Sequence, residues 1–95
     1  MVYYNIENHK LLGFKASETK NKMYDAILLS DTGKLIAVPF GDERFENCQD
    51  KTKLNLYRHL IHGDKERRKR YQSRHKVFLK KGYCSPSYFS FYYLW

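Results

Sequence analysis

Acidic side chains, cysteine, proline and long apolar runs are all in short supply in this sequence. The 95 residues include 10 Asp and Glu against 18 Lys and Arg. Two cysteines, Cys48 and Cys84, are too few for a secreted disulfide framework. They fit reduced thiols of a cytosolic compartment, with a single bridge between them as the alternative. No apolar run approaches the ~18–20 residues of a membrane helix, and the opening Met1-Val2-Tyr3-Tyr4 lacks the basic-then-apolar layout of a signal peptide. There is no internal repeat and no Gly/Ser linker, so residues 1–95 read as one domain. Catalytic signatures are missing as well. No carboxylate pair stands in an apolar setting, nothing activates a thiol, and Gly41-Asp42-Glu43 is acidic where a phosphate loop would need donors. These absences point away from an enzyme and imply no cofactor.

What is present is concentrated. Residues 58–81 hold ten Lys and Arg against two acids, which equals the net charge of +8 carried by the whole chain. The other residues balance. A cationic stretch of this kind selects nucleic acid, an anionic membrane surface or an acidic protein face as partner. Aromatic residues gather in the next stretch, as Tyr83, Tyr88, Phe89, Phe91, Tyr92, Tyr93 and Trp95. A domain this small buries only ~60–65% of the surface of its unfolded chain. Part of that aromatic content is therefore needed as core, and the remainder would form a contact surface.

Local patterns predict an α+β domain: a small N-terminal antiparallel hairpin or meander in a β-rich part (1–49), then two or three helices in a basic part (50–95). Two apolar runs, Met23 to Ser30 and Lys34 to Phe40, flank Asp31-Thr32-Gly33, a hairpin signal in which Gly33 supplies a positive φ. Pro39 cannot donate to a ladder, so the second strand ends there or lies at an edge. Lys10 to Lys15 adds a third strand, with Ser17 to Lys22 as a polar turn. Leu54, Tyr57 and Ile61 recur at helical spacing, ending at Gly63. Asp64 suits the N-cap of a second helix running to about Lys80, whose inward face would hold Arg67, Tyr71, His75 or Arg74, and Phe78. Ser85-Pro86 opens a short terminal helix over 87–95.

Three constellations carry possible chemistry. Cys48, His59, His62, His75 and Cys84 are zinc-type ligands, but without a Cys-x-x-Cys knuckle the plainer reading is surface histidines and idle thiols, and no metal is assigned. The basic run could neutralise phosphates, although no base-reading module is recognisable; its plainer reading is a solvated helix face. The aromatic tail could be core alone or core with a partner contact.

The strings Val38-Pro39-Phe40-Gly41, Tyr57 with His62-x-Asp64, Arg67-Arg68-x-x-Tyr71-x-x-Arg74-His75, and Ser90 with Leu94-Trp95 resemble a group of small basic proteins of large nucleocytoplasmic DNA viruses, the chlorella-virus and mimivirus-like groups. The likeness covers residues 34–95, and some proteins of the group are virion components. It implies a minor capsid component in the virion, made in host cytoplasm and bridging neighbouring capsomers, with the major capsid protein and other minor capsid proteins as partners. Genome packaging by salt-sensitive nucleic-acid binding is the alternative. On that view Arg68, Lys69, Arg70, Lys76, Tyr92, Tyr93 and Trp95 meet the partner. Asp64, Arg67, Tyr71, Arg74 and His75 form a structural network, in which Arg67 or Arg74 packs under Trp95 by cation–π contact.

Overall fold

The structure, a computed structural model, describes residues 2–95. Its centre is an antiparallel meander of three strands, β2 (His9–Ala16), β3 (Lys22–Ser30) and β4 (Leu35–Asp42), in that spatial order. The β3–β4 hairpin turns through Asp31-Thr32-Gly33. Ser30 and Lys34 close the loop through Ser30 N–H to Lys34 O at 2.9 Å, and Gly33, at φ 85°, donates to Ser30 O at 3.0 Å. This is a three-residue connection whose glycine takes the left-handed position. Pro39 pairs with Asp25 on β4, an edge strand, so its missing N–H costs no ladder bond.

Pairing places Phe14, Ala26 and Val38 side by side, and likewise Ala16, Tyr24 and Phe40. That face carries the core. The C-terminal segment covers it: α2 (Pro86–Phe89), capped by the Ser85 hydroxyl, runs on into a π-helical turn over Ser90–Leu94. Phe89 and Leu94 are fully inside. Phe14 meets Phe40, Phe89 and Tyr93 edge-on at 5.7, 6.2 and 4.7 Å between ring centres. Such geometry aligns ring edges with faces and adds to the burial term. Gly41 is required where the tail crosses β4. At φ 74° it adopts a left-handed backbone, and a Cβ there would lie 2.8 Å from Leu94 Cδ1.

The domain is α+β, but its strands are not confined to the N-terminal part. β1 (Tyr4–Asn5) pairs antiparallel with β5 (Tyr83–Cys84), so the β-rich and helical stretches interlock. The helix expected over Leu54 to Ile61 does not form. Asp50 accepts from Thr52 N–H at 2.9 Å, Lys53 and Asn55 take φ of 71° and 53°, and only a 3₁₀ turn at Arg58–Leu60 follows. Leu54 and Tyr57 still pack on the core, from an irregular segment. That segment is pinned by buried Tyr24, whose hydroxyl donates to Asp50 Oδ2 at 2.5 Å and accepts from Leu56 N–H at 3.1 Å. Burial, then the Asp50 carboxylate, push the Tyr24 hydroxyl up to about 12. Among the described residues no helix is long and apolar enough to cross a membrane.

Candidate functional site

The basic stretch forms helix α1 (Lys65–His75). Asp64 caps it as expected, its carboxylate accepting from Glu66 N–H at 2.9 Å and Arg67 N–H at 3.2 Å. The bond from Arg67 is the largest cause holding the Asp64 carboxyl below its ordinary value. The α-helix stops at His75, short of the expected Lys80, and passes into a 3₁₀ turn at Lys76–Phe78. Val77 and Phe78 are weak helix formers and too little burial compensates, for they are 74% and 49% exposed.

No residue of α1 is buried. One ring seats the helix on the domain. Tyr71 stacks on Trp95 at 4.2 Å and 3° between planes, and on His75 at 3.9 Å and 14°. Burial pushes the Tyr71 hydroxyl upward, and His75 Nδ1–H donates to Tyr71 O at 3.0 Å, fixing the imidazole over the ring. On the other side, His62 lies 5.2 Å from Trp95, and its Nδ1 accepts the Asp64 N–H at 2.8 Å. Trp95 is itself held by Gln49 Nε2, which donates to its carbonyl at 2.6 Å.

This placement revises the expected roles of several residues. Trp95, expected at a partner surface, is 9% exposed, and Tyr93 is half-buried against Phe14; of the three tail residues assigned outward, only Tyr92 is exposed, at 48%. The tail turns inward because the meander offers no other cover for its open face. The ring beneath Trp95 is Tyr71, and among the described residues neither Arg67 nor Arg74 makes a cation–π contact with it. Arg67 pairs instead with Glu46 at 3.6 Å, and Arg74 is exposed. Arg68, assigned outward, is half-buried with its Nε occluded and unpartnered, because at 100° per residue it falls beside Tyr71 and His75 on the docked side. Lys69, Arg70 and Lys76 are exposed as expected.

Two arrays of charge result. The outward face of α1 presents Lys65, Lys69, Arg70 and Lys76, and Lys80 and Lys81 continue it, all exposed. Of the Lys and Arg in α1 only Arg67 lies within ion-pair distance of an acid among the described residues. On the inward flank, Tyr71, Arg74 and His75 form one wall of an open cleft of about 600 Å³. The end of β4 and Ser87, Ser90 and Trp95 form the other sides. Its acids are already engaged: Asp42 is clasped by Arg44 at 2.7 Å, which lowers it to about 2, and Glu46 by Arg67. Sequence reading missed this cleft, since Lys22, Gly41 and Ser87 reach it from distant segments with no shared motif.

Among the described residues no three His, Cys, Asp or Glu side chains come together to hold a metal. Cys48 and Cys84 are free and buried, the latter with its thiol pushed up by burial. No family model, curated protein or solved structure matches this chain.

Proposed function

We propose that this is a non-enzymatic binding protein that lays the outward face of α1 along the phosphates of nucleic acid without reading base sequence. The observation that carries the reading is the combination of no buried residue and a single ion-paired cation in a helix of this charge. A helix that meets the core chiefly through one ring, Tyr71, and leaves all but one of its cations without an ion pair among the described residues is arranged for an external polyanion. Each phosphate met by a cation releases condensed counterions, which supplies affinity and makes it salt-dependent. On the reading of this chain as a protein of a large DNA virus, that nucleic acid is the viral genome, which a small sequence-blind cationic protein would coat or package.

Fluorescence anisotropy with labelled duplexes of unrelated sequence tests this. Four to six engaged cations give a log K against log salt slope of about −4 to −5, equal across sequences. The double variant Lys69→Glu, Arg70→Glu lowers affinity at least tenfold and flattens the slope. Affinity indifferent to salt or to that variant overturns the reading.

A second reading, a minor capsid component bridging capsomers, is favoured by the exposed apolar side chains of Val77, Phe78 and Tyr92, which a protein partner would cover. Mass spectrometry of particles before and after genome release separates the two. Loss with the genome supports packaging, whereas retention by empty shells supports the capsid role.

A further inference from the structure

The cleft beside α1 has side chains in its lining that the fold itself does not use. Phe45 follows β4 on a turn whose backbone is held at three points. Arg44 N–H donates to Asp42 Oδ1 at 3.0 Å, Phe45 N–H to Asp42 O at 3.2 Å, and Asn47 Nδ2 to Phe45 O at 3.4 Å. The Phe45 ring nevertheless stands 65% exposed, at the cleft and outside the core cluster. A single exposed ring is ordinary; one that lines a cleft together with unpaired cations is a stacking platform.

Those cations come from two elements. Arg74 stands on the α1 wall with Tyr71 and His75, at i, i+3 and i+4 on one helix face, and Lys22 reaches the cleft from the start of β3. Neither Lys22 nor Arg74 has an ion-pair partner among the described residues. Both acids of the lining have a guanidinium, Asp42 with Arg44 at 2.7 Å and Glu46 with Arg67 at 3.6 Å. The geometry points to an unpaired nucleotide as the ligand of this cleft, its base stacked on Phe45 and its flanking phosphates met by Arg74 and Lys22. A purely apolar ligand would leave the two cations idle, and a bare phosphate would leave the ring idle. A nucleotide within a duplex keeps its base faces stacked on its neighbours and has none to offer. At about 600 Å³ the cleft is within the usual range for small-ligand sites.

This inference rests on the reading of α1 as a phosphate-binding helix and narrows it. Cleft and cationic face share α1, so one strand occupies both, and strands with unpaired bases bind more tightly than duplex. Stacking on phenylalanine accepts any base, in keeping with binding that does not read sequence.

Trp95, the only tryptophan, lines the cleft and reports on its occupancy. The full chain is titrated with oligothymidylate of about ten nucleotides, within the span of known single-strand sites, with an abasic strand of the same length, and with a duplex. Anisotropy follows binding and Trp95 emission follows the cleft. All three probes are expected to bind, but only oligothymidylate changes Trp95 emission saturably. Its affinity exceeds that of the abasic strand by at least about fivefold, the weaker end of one base–aromatic stack. Phe45→Ala removes this advantage and leaves circular dichroism and duplex affinity unchanged, since the ring is exposed and outside the core. Trp95 emission that answers the abasic strand equally, or a Phe45→Ala variant that keeps the advantage, overturns the proposal. So does a polyglutamate peptide that shifts Trp95 emission as oligothymidylate does, which would assign the cleft to an acidic protein segment. Failure of all three probes to bind sinks the α1 reading as well, whereas equal binding with silent Trp95 sinks the cleft alone.

Discussion

The meander with its tail and the helix α1 are built on opposite terms. The first is close to neutral and buries Tyr24, Phe40, Phe89 and Leu94 almost completely. The second is densely cationic, buries none of its residues and touches the domain chiefly through Tyr71. Burial at about 25 cal/mol per Å² of apolar surface makes the first the source of stability. The second draws its order from one cap and one ring stack, so its sequence is free to answer to a partner. Stability and the proposed phosphate contact thus fall on separate residues, and substitutions are expected to move one without the other.

The sharpest contrast comes from Phe40→Ala, which opens a cavity among Phe14, Tyr24 and Phe89. It is expected to cost about 4 kcal/mol, a large share of the stability of so small a domain, and to appear as a collapse of the urea midpoint. Lys69→Glu and Arg70→Glu together leave the unfolding free energy within about 0.5 kcal/mol, and the midpoint nearly unmoved, since both residues are exposed.

Trp95→Ala tests whether the two regions come apart. Removing the seat of Tyr71 is expected to cost about 3 kcal/mol. Amide exchange over 65–75 should accelerate far more than over β2–β4; uniform acceleration would show α1 and the meander to be a single cooperative unit.

The smallest effect falls on the cap. Asp64→Ala is expected to destabilise the start of α1 modestly, by loss of its cap bonds to Glu66 and Arg67 N–H, read as lost helical ellipticity. The pH dependence has a definite sign. A carboxyl held below its ordinary value stabilises fully above that value, 3.8, and loses the contribution as pH falls through its lower folded value. Acid therefore frays the start of α1 below pH 3.8, and Asp64→Ala removes that step.

Much of the meander was legible because its signals are local. The turn at Asp31-Thr32-Gly33, the edge position of Pro39, the Asp64 cap and the Ser85-Pro86 opening each depend on neighbours within a few residues. What escaped was non-local. β1 and β5 are two residues each and carry no periodicity; only the fold brings residue 4 to residue 84. The stripe Leu54, Tyr57, Ile61 has helical spacing, yet Asp50, Tyr24 and two left-handed residues capture its backbone first. At the site, the cationic face was readable from composition, whereas the inward turn of Trp95 was not. An aromatic side chain suits a core and an interface equally well, and only the vacant face of the meander decides between them.

The β1–β5 ladder has a consequence for the order of synthesis. Tyr4 emerges from the ribosome early and waits for Cys84, while Phe89, Leu94 and Trp95, which close the core, come later still. Until they arrive the meander is an uncovered apolar sheet, and contacts of such long sequence separation form slowly. Closure of the core therefore waits for the tail. Any holdase that meets the nascent chain meets the aromatic face of the meander before Phe89 and Leu94 have covered it.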